Sequence, residues 1–254
     1  MAWHGDVKFL YKQLILKDFK IRYRNMSLGV LWSLLNPLVM MGVLTFIFTT
    51  IFPSHQPRFP LMVLCGIIPF NFFSGAWVSG TTSVMMNAPL IKRVAMPREV
   101  LPISTVLSNV PHLLIQLALL MVMALAYGSR PGLDWLWLIV VWILEIAFVC
   151  GLSLIFAGLN VFVQDTRYFV ESANTVLFWM VPIFYPFSAI PPRFAGIYEI
   201  NPVAAIVLAM QNILLQNHAP SLVLVIKLAL VSTFTIAIGH VIFRSMERNF
   251  YQHL

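Results

Sequence analysis

Long apolar runs separated by short polar breaks dominate the chain, and their lengths set the first expectation. A helix rises about 1.5 Å per residue, so about 20 apolar residues cross the roughly 30 Å hydrocarbon layer of a bilayer. Leu28–Phe52, Leu61–Val84, Val100–Tyr127, Trp135–Val163 and Ser221–Phe243 meet that length. A sixth run, Tyr168–Phe187, is long enough only if it continues through Pro182 and Pro186, whose missing donors need compensation from neighbouring backbone or water. It reads as a span broken near its outer end. Between it and the last run lies 188–220, in which Ile200–Leu215 is apolar but opens on Asn201-Pro202 and is too short to cross, so a re-entrant or interfacial helical pair is expected there. The pattern therefore predicts an all-α integral membrane fold of six transmembrane helices in a single domain, residues 1–254.

Ahead of the first run the periodicity changes. Val7, Leu10, Tyr11, Leu14 and Ile21 share one helical face, while Lys8, Lys12, Gln13, Lys20 and Arg24 point elsewhere, as in a helix lying along a membrane surface. Asp18 intrudes on that face, and Phe9, Leu16 and Phe19 fall off it. An interfacial helix over 7–24 is expected.

Composition agrees with a lipid solvent: 60% of residues are hydrophobic and only 10% charged, which excludes both a soluble globule and a disordered chain. The net charge of +7 marks no nucleic-acid platform, because the cations form no aromatic-basic surface. They report topology instead. The terminal segments and the second and fourth loops hold Lys8, Lys12, Lys17, Lys20, Arg22, Arg24, Lys92, Arg93, Arg98, Arg167, Arg244 and Arg248; the other side holds Arg58, Arg130 and Arg193. That imbalance predicts both termini in the cytoplasm, with no cleaved signal peptide.

Candidate chemistry is sparse. No G-x-x-x-x-G-K-[ST] sequence is present for a nucleotide, nor a G-x-S-x-G elbow or H-E-x-x-H helix. Cys65 and Cys150 sit inside apolar runs, and the six histidines have no helical ligand spacing, so neither a disulfide framework nor a metal site is indicated. Glu145 is the one carboxylate deep within a span: a proton-relay group or polar contact to substrate, or a structural acid paired with Lys227 or bonded to backbone within the bundle. Phe70, Phe73 and Trp77 stand at i, i+3 and i+7, and Phe178 and Tyr185 stand seven apart, so each set can line one face, either as core packing or as a stack for the C–H faces of sugars. In the second cytoplasmic loop, Met85 to Glu99, a short amphipathic helix bracketed by Pro89 and Pro97 can dock into a partner's groove, or Lys92, Arg93 and Arg98 can anchor the loop to anionic lipid.

In their order and spacing, Leu28-Gly29-Val30-Leu31-Trp32-Ser33-Leu34-Leu35-Asn36-Pro37, Gly66-Ile67-Ile68-Pro69-Phe70-Asn71-Phe72-Phe73, Leu90-Ile91-Lys92-Arg93 through Pro97-Arg98-Glu99-Val100-Leu101-Pro102, Asn160-Val161-Phe162-Val163-Gln164-Asp165-Thr166-Arg167 and Asn201-Pro202 resemble the permease subunits of type-2 ABC exporters of lipid-linked polysaccharides, the O-antigen, capsule and teichoic-acid class. The likeness covers nearly the whole chain. Gln164 departs from it, standing where similar proteins often have Arg, although Asp165 with Arg167 can still form a cytoplasmic contact.

The resemblance implies a homodimer in the bacterial inner membrane, with two copies of a separate nucleotide-binding subunit that hold ATP and Mg; this chain carries no cofactor or metal and is not itself an enzyme. It implies a glycan channel walled by Phe70, Phe73, Trp77, Phe178 and Tyr185, a lipid-headgroup entrance at Lys17, Lys20, Arg22 and Arg24, and an ATPase-coupling helix at Asn87, Leu90, Ile91, Lys92 and Arg93. The membrane lipid and a lipid-linked polysaccharide are the other implied partners, and nucleic acid is not one. The alternatives are an ABC permease for another lipid or a drug, an ion-coupled secondary transporter using Glu145, and a membrane-bound glycosyl- or acyltransferase.

Overall fold

A computed structural model describes residues 6–24, 29, 31–52, 56–94 and 96–250, without the side chains of Arg22, Tyr23, Ala195, Ile197 and Glu199. His4, His55, His253, Leu28 and Val30 lie outside the described residues. Helices α1 (Val7–Tyr23), α2 (Leu31–Phe46), α3 (Phe59–Met86), α4 (Ala88–Arg93), α5 (Val100–Leu107), α6 (Val110–Ala126), α7 (Leu136–Phe162), α8 (Thr166–Met180), α9 (Pro192–Ile200), α10 (Pro202–Leu214) and α11 (Leu222–Glu247) account for nearly all of it. No strand occurs among the described residues.

Among the described residues, five helical stretches are long and apolar enough to cross a membrane: Leu31–Ile51, Phe59–Arg93, Val100–Ala126, Leu133–Phe162 and Leu222–Glu247. They match the five long apolar runs of the sequence. The third is not continuous. It breaks at Ser108 and Asn109, where Ser108 Oγ and Asn109 Nδ2 each donate to Thr105 O at 2.7 Å, and Pro111 then opens α6.

The centre of the bundle is α3, buried on almost every side, with α7 against it and α11 against α7. Small residues set these approaches. A Cβ on Gly80 would lie 2.3 Å from Ser153 Oγ, and one on Gly239 would lie 2.5 Å from Gly151 O, so the backbones nearly touch where glycine allows it. Contacts climb together along α7 and α11: Ser232 Oγ donates to Leu144 O at 2.9 Å, Gly151 faces Thr235 and Ile236, and Gly158 faces Phe243 and Met246. The two helices are therefore parallel, and the chain between them must return the length of the bundle.

The return is made by α8. Its order is reversed against α3 and α7, with Phe169 beside Phe156, Phe178 beside Phe70 and Ile183 beside Gly66. At 15 residues it covers only about 22 Å. It stops at Met180 because Pro182 drives Val181 into extended backbone, and Val181–Phe184 completes the path while buried in protein.

The helical pair expected in 188–220 is α9 and α10, parted at Asn201-Pro202, where Asn201 Oδ1 accepts from Val203 N at 3.0 Å as an N-cap. Ten residues of α10 are buried, against α3, α7 and α11, whereas α9 lies open.

Candidate functional site

A groove of about 450 Å³ opens between α2, α3 and α8. Its walls join aromatic plates to polar groups: Phe70, Asn71 and Ser74 from α3, Glu171, Asn174, Thr175 and Phe178 from α8, and Asn36 from α2. Phe70 and Phe178 meet edge to face at 5.4 Å. Glu171, Asn174, Thr175 and Phe178 stand at i, i+3, i+4 and i+7, so the helical period alone puts them on one face. Asn174 is only 6% exposed, yet neither its Oδ1 nor its Nδ2 has a hydrogen-bond partner. An orphaned buried amide costs about 1–3 kcal/mol, so Asn174 presents a donor and an acceptor at the groove that no other described side chain satisfies.

The same helix continues into two further cavities. At its start, a space of about 500 Å³ is lined by Asn160, Gln164, Asp165, Arg167 and Tyr168 together with Thr82, Met85 and Met86 of α3, and buried Asn160 again has an unpartnered Oδ1. Beyond its end, about 370 Å³ lies among Met180, Tyr185, Ala189, Ile190, Pro191, Phe194 and Tyr198. Tyr185 donates its OH to Trp179 O at 3.0 Å and lies 3.3 Å from Tyr198 OH. Three cavities thus follow α8 from one end of the bundle to the other.

The aromatic residues expected to wall a channel divide here. Phe70, Phe178 and Tyr185 line these cavities. Phe73 and Trp77 do not; they are 1% and 5% exposed, with Phe73 stacked on Phe148 at 6.1 Å and Trp77 edge-on to Phe156 at 5.1 Å. The reason is α7, which the Gly80–Ser153 approach presses over their side of α3. The expected Asp165–Arg167 contact is likewise replaced: Arg167 Nε stands 3.8 Å from Glu171 Oε1, its Nη2 donates to Tyr168 OH at 2.9 Å, and its guanidinium covers the Tyr168 ring. Glu145 is fully buried, and neither carboxyl oxygen has a hydrogen-bond partner, so no bond to Lys227 is formed.

At the opposite end from α9, the expected entrance and coupling residues prove to be neighbours. Asp6 caps α1, Leu14 is buried, and Leu10 and Tyr11 pack on a cluster with Ile91, Met96, Val100 and Leu101; Val7 and Ile21, on the same predicted face, stay exposed. Lys17 Nζ donates to Asn87 Oδ1 at 3.0 Å and pairs with Asp18 at 3.2 Å, while Lys20 and Arg24 are exposed and the side chain of Arg22 is not described. Within α4, Ile91 is buried as an anchor and Leu90 half-buried, which leaves Pro89, Lys92 and Arg93 on the open face. The following loop is tied to the end of α11: Arg98 Nη1 donates to Glu247 O, and Glu99 lies 3.0 Å from His240 Nδ1 and 3.8 Å from Arg244 Nε. Burial first, and then the Glu99 charge, pushes the Tyr11 hydroxyl from 10.0 up to about 12.

Sequence reasoning passed over Asn36, Asn71, Ser74, Asn160, Glu171, Asn174 and Thr175. Their signal was present as polar residues recurring on one face of otherwise apolar helices, but it competes with the stronger aromatic pattern.

Apolar membrane-length helices and three separate polar and aromatic cavities in a row along α8 define a multi-pass membrane protein with openings between its helices. Residues 10–215 match the family model of the ABC-2 type transporter, and the chain belongs to that family. It is similar to the O-antigen export system permease protein RfbA of Klebsiella pneumoniae, 32% identical over 84% of this chain and 83% of the relative. The protein of that name from Myxococcus xanthus is 29% identical over 95% and 94%, and the polysialic acid transport protein KpsM of Escherichia coli 23% identical over 94% of each.

Proposed function

We propose that this chain is the permease subunit of an ATP-driven exporter that moves a lipid-linked polysaccharide across the bacterial inner membrane, acting as a homodimer with two nucleotide-binding subunits. ATP and Mg belong to those subunits, since this chain has no phosphate-binding loop. The observation that carries the reading is the row of cavities along α8, with two orphaned amides, Asn160 and Asn174, beside aromatic plates.

Both termini lie in the cytoplasm, α8 with Val181–Pro186 is the fifth crossing, and α9 with α10 forms the external re-entrant pair. Exposed Lys20 and Arg24 meet the anionic headgroup, with Lys17 held back by Asn87. Sugar C–H faces pass over Phe70, Phe178 and Tyr185, and hydroxyls exchange hydrogen bonds with Asn71, Glu171 and Asn174. Each such bond is worth only about 1 kcal/mol net, and each ring contact about as much, so a chain is guided without being trapped. Phe73 and Trp77 support the plate from behind.

Closure of the ATPase pair reaches the bundle through α4. Because Ile91 is an anchor, the ATPase contacts fall to Pro89, Lys92 and Arg93, and the pull passes through Asn87 to Lys17 of α1 and along α3. A partner drives such a change only by binding two conformations unequally.

The test is co-purification with the ATPase, followed by identification of the glycan that accumulates inside cells lacking this chain. No ATPase partner and no accumulated glycan would refute the proposal. Proton coupling at Glu145 is disfavoured by its complete burial away from the groove; Glu145→Gln is expected to keep export, and export that survives inactivation of the ATPase would reverse that judgement.

A further inference from the structure

We propose that the outer end of the subunit carries a second saccharide site, built for a sugar bearing a carboxylate or phosphate. It lies across the 181–191 segment from the Tyr185 cavity and rests on the export reading above. A cavity of about 730 Å³ opens there between the outer ends of α3, α10 and α11. Its polar lining is five amides, Gln56, Gln211, Asn212, Gln216 and Asn217, with Ser188, Arg58 as the cation and no carboxylate among the described residues.

That chemistry selects its ligand. Each amide offers donors and an acceptor side by side, the match for adjacent sugar hydroxyls, and the guanidinium fork fits a carboxylate or phosphate. Met62, Phe187, Leu208, Leu215 and Leu224 complete the lining and offer apolar contact to the C–H faces of a sugar whose hydroxyls replace the hydrogen bonds the amides make to water. The volume lies within the roughly 300–1,000 Å³ typical of small-ligand sites.

The lining is also held in place. Gln211, 7% exposed, donates Nε2 to Pro182 O at 2.9 Å, and Asn217 Oδ1 accepts from Arg130 N at 3.2 Å. Arg58 and Asn217, with φ of 56° and 54°, are the two non-glycine residues in the left-handed region among those described, and both line this cavity. Asn217 is the left-handed residue that ends the α10 turn, whereas Arg58 carries a cost of about 1–3 kcal/mol that persists only where the surroundings fix it.

Pro186, Phe187 and Ser188 form one wall, while Tyr185, Ala189 and Ile190 of the same segment face the α8 path. A sugar seated here braces that segment from behind as the glycan leaves.

The test uses full-length protein with its ATPase in cells that make the glycan, with a photo-crosslinking amino acid at Gln216 and, separately, at Thr175 in the groove. Glycan adducts are expected at both positions, and Arg58→Gln should cut the Gln216 adduct about tenfold, the scale of one charged hydrogen bond, without changing that at Thr175. An adduct at Thr175 alone overturns the outer site and leaves the export reading standing; adducts at neither overturn both. Phospholipid captured at Gln216 in place of glycan also overturns the saccharide assignment. If the Gln216 variant fails to reach the membrane, Ser188, exposed on the same cavity, takes its place. With purified protein in nanodiscs, glucuronic acid should bind about tenfold more tightly than glucose, and equal binding would overturn the role of Arg58.

Discussion

Two helices carry side chains at the spacing that can line a passage, and they use it in opposite ways. On α3, Phe70, Phe73 and Trp77 repeat at i, i+3 and i+7, but only Phe70 reaches the groove, and Phe73 and Trp77 are packed away at 1% and 5% exposed. On α8, Glu171, Asn174, Thr175 and Phe178 share one face, and that face borders the groove. The period is common to both; the cover is not. α3 is enclosed by α5, α6, α7 and α10 as well as by α8, whereas α8 touches chiefly α3 and leaves Tyr168, Phe169, Val176 and Trp179 exposed. Aromatic spacing thus identifies a face, and only the neighbouring helices decide whether that face is core or passage.

The sharpest way to break this contrast is Phe73→Ala. Truncating a stacked, buried ring should cost about 3–5 kcal/mol of stability and lower the yield of folded protein in thermal denaturation of the purified subunit. A normally stable Phe73→Ala protein with lost export would place that ring in the passage after all.

Next in size, Asn174→Leu should reduce export about tenfold, consistent with losing one or two hydrogen bonds to the glycan, while its thermal midpoint stays the same or rises because an orphaned amide is replaced by an apolar group. Equal loss of stability and export would instead make Asn174 a structural residue. Phe178→Ala, on the half-buried plate, should lower export about threefold with under about 1.5 kcal/mol of destabilisation, since one ring contact is worth about 0.5–1.5 kcal/mol.

The smallest effect sharpens the packed side, where α1 docks on α5 and the α4 anchor Ile91 near the C-terminal end of α3. Tyr11 is neutral when docked, with its pKa raised from 10.0 to about 12. The undocked phenol ionises first, so docking is at full strength below pH 10 and weakens as the pH rises from 10 towards 12. Protease cleavage of α1 should increase over that window and fail to do so in Tyr11→Phe; identical behaviour of the two proteins would remove Tyr11 from the contact.

Much of the path is visible in the sequence after the fact. The stop of α8 follows from Pro182, and the division of α9 from α10 from Asn201-Pro202, both read correctly as breaks. The break at Ser108 and Asn109 is hidden in the sequence, because Pro111 sits inside a run whose apolar content outweighs it. Glu171, Asn174 and Phe178 lay on one face all along, but a helical period cannot say which neighbour fills the space in front of that face.

By itself the sequence determined that this chain lives in lipid as helices, and where those helices yield. Without water, every backbone donor and acceptor must be satisfied inside the chain, and proline and asparagine mark where that fails or is capped. Tertiary structure alone decided which polar and aromatic side chains stay open. That choice was made by close approaches: Gly80 against Ser153 brings α7 over one face of α3, Gly239 against Gly151 holds α11 on α7, and the groove stays open between α3 and α8.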